Sequence, residues 1–129
     1  MSPPVEPSDF SKLKPGRIIW GSVLDMNDRE CGSHPLVVLT TPLDNTPDSK
    51  FRVAGGSRNE PVADNEKFAI RVVGVPGPLG HPRTGLQANT WFYATWLRTF
   101  TVGEVEAFRK FFPPSDFILF RQMIEAASI

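Results

Sequence analysis

The side chains in this sequence that could do chemistry lie in predicted loops and near strand ends, outside any standard catalytic signature. They are two histidines, a serine, a threonine and three arginines: His34, His81, Ser57, Thr95, Arg58, Arg83 and Arg98. An imidazole can donate or accept a proton near neutral pH, and a guanidinium offers several N–H donors to an anion. These residue types therefore suit proton transfer beside an anionic group.

Sequence signatures of the common enzyme classes are absent, which narrows the range of functions. The chain has no G-x-S-x-G, no P-loop, no G-x-G-x-x-G and no H-E-x-x-H. Its single cysteine, Cys31, excludes an internal disulfide, and no Cys/His group has the spacing of zinc ligands. We therefore expect a protein that uses neither a metal ion nor a cofactor.

The composition is that of one ordinary globular domain with an uneven charge distribution. Of the 129 residues, 40% are hydrophobic and 22% charged, and 14 basic residues balance 14 acidic ones. Residues 50–98 carry seven basic groups against three acidic ones, so a site for a polyanion is expected in the middle third. The chain shows no signal peptide and no long apolar stretch, which predicts a cytoplasmic protein without membrane contact.

Short strands must position most of these side chains. Clusters of β-branched and aromatic residues between turn residues predict strands over residues 17–24, 35–40, 50–54, 67–75 and 90–99, and a polar loop over 25–34. Alternation in the last strand predicts two faces, Trp91, Tyr93, Thr95 and Leu97 on one and Phe92, Ala94, Trp96 and Arg98 on the other. Its aromatic residues are expected in the core, with base stacking by Tyr93 or Trp96 as the alternative.

Two helices are predicted after the strands. Thr101 and Glu104 fit a capping box, and apolar residues recur at helical spacing from there to Pro113. Ser115 is predicted to cap a second helix. Strands followed by helices, without βαβ alternation, predict a mainly β fold with C-terminal helices, built as a small, partly open antiparallel barrel.

The domain organisation expected from these elements is simple. Residues 1–14 are rich in proline and polar residues, which predicts a flexible arm. Residues 15–129 then form a single domain, a barrel with a helical tail.

Several motifs, in matching order and spacing, resemble one family. The opening Lys14–Trp20 (KPGRIIW) is followed by a polar loop and by Gly32–Leu39 (GSHPLVVL). Later blocks are Arg83–Leu86 (RTGL), Asn89-Thr90 and Leu97–Thr99 (LRT). Together these motifs resemble the PemK/MazF-like toxins, and the resemblance covers about residues 14–125.

The resemblance implies an SH3-like β-barrel that forms a homodimer, cleaves single-stranded RNA without a metal ion and is neutralised by an antitoxin protein. In that chemistry the RNA 2′-hydroxyl attacks the adjacent phosphate. The residues that match catalytic positions of the family are His34, Ser57 and Thr95. Contacts to RNA are expected from Arg58, Arg83, Arg98 and His81.

Two departures from the family pattern keep a second function open. His34 stands where the family usually has arginine, and Thr95 stands where it often has an acid. The alternative is a catalytically silent module that binds RNA or a protein partner in regulation. Structural roles are open for the same residues: a solvated turn for His34, turn chemistry for Ser57 and hydrogen bonding within the fold for Arg98.

Overall fold

The computed structural model describes residues 10–25, 27–61 and 68–127, so most of the predicted arm and the last two residues lie outside the described part. Six strands and one α-helix make up this part of the chain: β1 Arg17–Leu24, β2 Glu30–Val38, β3 Lys50–Ser57, β4 Ala69–Val72, β5 Thr90–Thr101, β6 Ala107–Phe111 and α1 Pro114–Ala127. No helix in the described residues is long and apolar enough to span a membrane.

All six strands belong to one antiparallel sheet. Their order across the sheet is β4-β5-β3-β2-β1-β6, and β4 and β6 are the edges. Chain neighbours β1, β2 and β3 are also neighbours in space, as expected for strands joined by short loops. This arrangement confirms a mainly β fold with a C-terminal helix.

Both faces of β1, β2 and β3, three of the four inner strands, carry buried residues. Ile18 on β1 belongs to one apolar cluster and Ile19 to a second, because successive side chains of a strand point to opposite faces. Val37 and Leu36 on β2 divide in the same way. The two clusters explain why β1 and β2 contain continuous apolar runs, such as Leu36–Val38, rather than strict alternation.

Different segments cover the two faces. On the first face, Phe112 and Phe120 pack with their rings stacked 5.4 Å apart, and Phe120 anchors α1 against the sheet. On the second face, Phe100 from the end of β5 and Val102 just after it pack together with Leu13. Leu13 is fully buried, so the packed domain already includes residue 13.

The loop after β4 reaches the opposite edge of the sheet. The backbone N–H groups of Lys110 and Phe111 on β6 donate to the carbonyls of Thr84 and Arg83. The Lys110 ammonium also donates to the carbonyl of Pro82, at 2.9 Å. The edge of β6 is therefore capped by this loop, which limits its pairing with another chain.

The prediction of a helix between Thr101 and Pro113 is wrong, since only a 3-10 turn, Val102–Glu104, follows β5. The carboxylate of Glu104 does accept hydrogen bonds from the backbone and hydroxyl of Thr101, as a capping residue would. The chain beyond the turn instead forms β6, because pairing with β1 provides partners for its backbone groups. A long-range pairing thus overrides the local helical pattern. The second helix is confirmed, but it begins with Pro114, so Ser115 lies inside its first turn and the prediction of Ser115 as the cap is wrong.

Three strands extend beyond their predicted ends, β5 by two residues to Thr101, whereas β4 ends at Val72, three residues before its predicted end. β2 begins at Glu30 because its polar first residues pair with the end of β1, Ser33 opposite Ser22. β3 continues through Gly55 and Gly56, where the rings of Trp96 and Phe92 leave no room for a Cβ. Glycine is required there by a close approach, and it does not terminate the strand.

The predicted alternation along β5 is wrong. The pairing with β3 shifts between Phe92 and Leu97, so these residues do not keep one continuous two-residue period. Phe92 joins the cluster under α1, whereas Trp96 packs over Gly55 beside His34. Tyr93 and Trp96 are both buried, so neither presents a free ring for base stacking.

Replacing Phe120 with alanine should destabilise the fold by about 3–5 kcal/mol, because a fully buried ring would leave a cavity under α1. Its neighbour Leu119 is half exposed, and Leu119→Ala should change stability by less than about 0.5 kcal/mol. Urea unfolding of both variants measures the difference. Equal effects would contradict the packing described here.

Candidate functional site

His34 is half buried on β2, and both of its ring nitrogens face backbone carbonyls. Nδ1 lies 3.2 Å from the oxygen of Gly56, and Nε2 lies 2.9 Å from the oxygen of Cys31. The ring also packs edge-on against Trp96, with centroids 5.3 Å apart. Carbonyls are acceptors, so both contacts can be hydrogen bonds only when both nitrogens carry a proton. His34 could accept a proton from a substrate only after one ring nitrogen has moved away from its carbonyl.

The other two predicted catalytic residues lie close to His34 along the backbone. Ser57 follows Gly56, whose carbonyl the imidazole contacts, and Thr95 precedes Trp96. The hydroxyl of Ser57 accepts a hydrogen bond from the N–H of Asn59 at 3.2 Å, which is turn chemistry. Thr95 is exposed on β5. The catalytic roles of all three residues stay predictions.

Arg98 is committed to the loop between β1 and β2. Its guanidinium donates to the carbonyls of Leu24 and Asp25 and forms an ion pair with Asp28 at 2.9 Å. Trp96 supports the same loop, since its indole N–H also donates to Leu24, at 2.8 Å. Arg98 therefore holds the loop in place, and its charge is already compensated by Asp28.

Asp25 organises the loop from within. Its carboxylate accepts hydrogen bonds from the backbone N–H groups of Asn27 and Arg29, at 2.8 and 3.0 Å. The N–H of Arg29, followed by that of Asn27, lowers the pKa of Asp25 below its ordinary value of 3.8. The ionised carboxylate therefore favours the folded loop.

Cys31 is an inert residue in this arrangement. Its thiol is half buried and donates to the carbonyl of Val23, at 3.2 Å. Burial, followed by the nearby charge of Asp25, raises the pKa of the thiol. A raised pKa makes the thiolate scarce, so Cys31 does not suit nucleophilic chemistry.

His81 shapes the loop that precedes β5. Its Nδ1 accepts hydrogen bonds from the backbone N–H groups of Arg83 and Thr84, at 3.0 and 3.4 Å. Thr84 is buried, and its hydroxyl donates to the carbonyl of Val73. The imidazole therefore fixes the backbone from which the exposed side chain of Arg83 extends.

Two arginines lie over one indole ring on the face of the sheet that α1 also covers. The guanidinium of Arg58 is 5.8 Å from the ring centre of Trp20, and that of Arg109 is 5.6 Å from it. Trp20 is half buried on β1, paired with Pro35 on β2 and Ala107 on β6. Among the described residues, the buried indole N–H of Trp20 has no acceptor.

Further cations lie along the adjoining edge of the sheet. Arg109 and Lys110 are neighbours on β6, and the loop that carries Arg83 bonds to the same strand. We call Arg58, Arg83, Arg109 and Lys110 the cationic belt. Within the described ranges, no carboxylate forms an ion pair with any of its members. The belt contrasts with Arg98, whose charge is already compensated.

A groove at the neighbouring ends of β1, β2 and β5 is less suited to a polyanion. It has a volume of about 560 Å³ and is lined by two acidic residues, Glu30 and Glu104, besides Arg98. Because Arg98 is paired with Asp28, the lining carries an excess of negative charge. Among the described residues, no group of three His, Cys, Asp or Glu side chains is placed to hold a metal ion.

The structure thus separates the predicted contacts into two groups. Arg58 and Arg83 belong to the cationic belt, whereas Arg98 and His81 stabilise loops. Sequence reasoning missed Trp20 and Arg109, which meet only through the pairing of β1 with β6. No alternation in the sequence marks this strand, because Arg109 is followed by Lys110, and the apolar spacing predicted a helix there.

A second missed group consists of Ser22, Ser33 and Glu106. Ser22 and Ser33 are cross-strand partners on β1 and β2. Their hydroxyls donate to the two carboxylate oxygens of Glu106, at 3.0 and 2.7 Å. All three residues are exposed. Nothing in the sequence links Glu106 to residues more than seventy positions earlier, so only the fold reveals this group.

The hydrogen bonds of Asp25 predict a pH dependence of the loop. Because the folded-state pKa is lowered, the stabilisation is complete above about 3.8 and is lost as the pH falls through the lower folded value. An NMR titration of the amide protons of Asn27 and Arg29 should show a midpoint below 3.8. Asp116→Asn, at the start of α1, is the control variant and should leave this transition unchanged.

Comparison with known proteins adds no relative: no protein-family model matches this chain, and no curated protein matches its sequence.

Proposed function

We propose that this chain binds single-stranded RNA through the cationic belt and Trp20. The observation that carries the proposal is the pair of guanidinium groups over the Trp20 ring, with no carboxylate paired to either arginine within the described residues. Cations along an RNA backbone bind by neutralising phosphates. Arginine planes and an aromatic ring also offer stacking surfaces that tolerate any base.

The charge arrangement favours a polyanion over an uncharged ligand. Leaving these four cations without an acidic partner among the described residues is unfavourable in the free protein, because like charges repel. A phosphate chain relieves this repulsion, and arginine can bind phosphate oxygens through two N–H groups at once. The indole N–H of Trp20 is a further donor for such a ligand, once the covering side chains move.

The resemblance to PemK/MazF-like toxins supports the same substrate class. The loop that joins β6 to the far end of the sheet supports a curled, partly open barrel of SH3-like type. Under this proposal the protein forms a homodimer and has an antitoxin protein as a partner. Mainly β architecture with a C-terminal helix is compatible with both.

Cleavage of the bound RNA without a metal ion is the second candidate function. It is favoured by the position of His34, whose ring contacts the backbone between Gly56 and Ser57 and packs on the neighbour of Thr95. In the PemK/MazF-like scheme these three residues flank the scissile phosphate. The two carbonyl contacts of His34 weigh against a free imidazole, so the silent RNA-binding module stays the alternative.

Replacing Arg58 or Arg109 with alanine should weaken binding to single-stranded RNA. Each loss of a phosphate contact should reduce the steepness of log K against log salt by about 0.7. Arg52→Ala is the matched control, because Arg52 is an exposed cation on β3 outside the belt. Fluorescence anisotropy of a labelled RNA over a series of salt concentrations measures these effects. Equal losses in all three variants would show that the belt is not the site.

Incubation of the purified protein with a long single-stranded RNA in excess EDTA tests cleavage. Discrete fragments that end in a 2′,3′-cyclic phosphate are expected if the 2′-hydroxyl is the nucleophile. The same RNA with 2′-deoxynucleotides should bind and stay intact. Intact RNA at saturating protein would instead favour the silent module.

A further inference from the structure

The carboxylate of Glu106 lies in a defined position beside the proposed RNA surface. Each of its oxygens accepts one serine hydroxyl, Ser33 at 2.7 Å and Ser22 at 3.0 Å, and the two hydroxyls are themselves 3.3 Å apart. A carboxylate oxygen has two acceptor positions, so each keeps one for another donor. The group is exposed, which leaves those positions accessible to a molecule from solution.

The backbone brings Glu106 next to Trp20. The N–H of Glu106 donates to the carbonyl of Trp20 at 2.8 Å, and Ala107 is the cross-strand partner of Trp20. Ser22 follows Trp20 by two residues on the same face of β1, a rise of about 7 Å. The carboxylate and the two guanidinium groups over Trp20 therefore flank the same short stretch of β1.

We propose that Glu106 is the general base of an RNA-cleaving site, held in place by Ser22 and Ser33. The inference rests on the proposed binding of single-stranded RNA and deepens it by naming the group that would start the cleavage. A carboxylate that is fixed by hydroxyl donors and still has open acceptor positions can take a proton from a sugar hydroxyl. His34 lacks this property, because both of its nitrogens already face carbonyls.

The step balances with water as the only co-reactant. Glu106 removes the proton of a ribose 2′-hydroxyl, and that oxygen forms a bond to the adjacent phosphorus. The bond from phosphorus to the 5′-oxygen of the next nucleotide breaks, and the leaving oxygen takes a proton from water. The hydroxide formed takes the proton back from Glu106. Arg58 and Arg109 supply positive charge for the additional negative charge on the phosphorane.

The charge of Glu106 helps to separate this role from a structural one. A negative group beside a polyanion site opposes binding, so its removal should leave RNA affinity unchanged or higher. Loss of a purely structural clamp between β1, β2 and β6 should instead lower thermal stability, and weaken binding with it. Cleavage, affinity and melting temperature therefore form three separate readouts.

The test compares the full-length protein with Glu106→Gln, Glu104→Gln and His34→Ala. Glu104 is the matched control, since it is an exposed carboxylate two residues away that bonds to Thr101. Each protein is incubated with a labelled single-stranded RNA in excess EDTA, and binding is measured with the uncleavable 2′-deoxy version. We expect Glu106→Gln to cut at least about 100-fold more slowly while binding at least as tightly, and Glu104→Gln to cut normally.

Four results would overturn the inference, and they differ from one another. If the unaltered protein binds RNA but does not cut it, the role of Glu106 as general base is refuted, while the proposed RNA-binding function stands. Cutting by Glu106→Gln at the normal rate, with activity abolished in His34→Ala, would assign the base to His34. Absence of any salt-dependent RNA binding would remove the proposed function itself. A lower melting temperature in Glu106→Gln with parallel loss of binding would assign the residue a structural role.

Discussion

Burial of both faces of β1, β2 and β3 is the constraint on which the remainder of the structure depends. A sheet whose strands are apolar on both faces must be covered twice, because exposing either face would leave a large hydrophobic surface in water. In this chain α1 covers one face, and the far end of β5 with Leu13 covers the other. α1 and the end of β5 thus each exclude water from one face of the sheet.

That covering also determines which polar residues are available for function. The second half of β5 pairs with β3 and places Phe100 in the second cluster, and it also carries Arg98 to the β1–β2 loop. Carbonyls of this loop accept hydrogen bonds from the guanidinium, and Asp28 compensates its charge. Arg58 and Arg109 instead reach an indole face without an acidic partner among the described residues. The acceptors and acidic groups around each arginine therefore determine whether its charge remains available for a ligand.

The sequence allowed β1, the approximate positions of the other early strands and α1 to be predicted, because each has a strong local pattern. It did not allow β6 to be predicted, since Val105, Phe108 and Phe112 have helical spacing and the pairing with β1 is set by distant residues. The site shows the same limit. Arg58 and Arg83 were identified by type and loop position, whereas Trp20 and Glu106 acquire meaning only when β6 is placed beside β1. Secondary-structure propensity depends on a few neighbouring residues and can be predicted from them. A site assembled from both ends of the chain depends on long-range strand pairing, which local patterns do not reveal.

The position of one acid beside several cations is the feature that most needs a physical reason. A surface that only binds RNA gains affinity from every cation and loses it for every carboxylate, so an acid there opposes the binding. Glu106 is nevertheless held by two hydroxyls from neighbouring strands, each of which gives up part of its contact with water to do so. An uncharged amide could also bridge the two serines, with its oxygen accepting from one hydroxyl and its NH2 donating to the other. Proton removal needs the carboxylate itself, and this difference connects the geometry at Glu106 with chemistry rather than with packing alone.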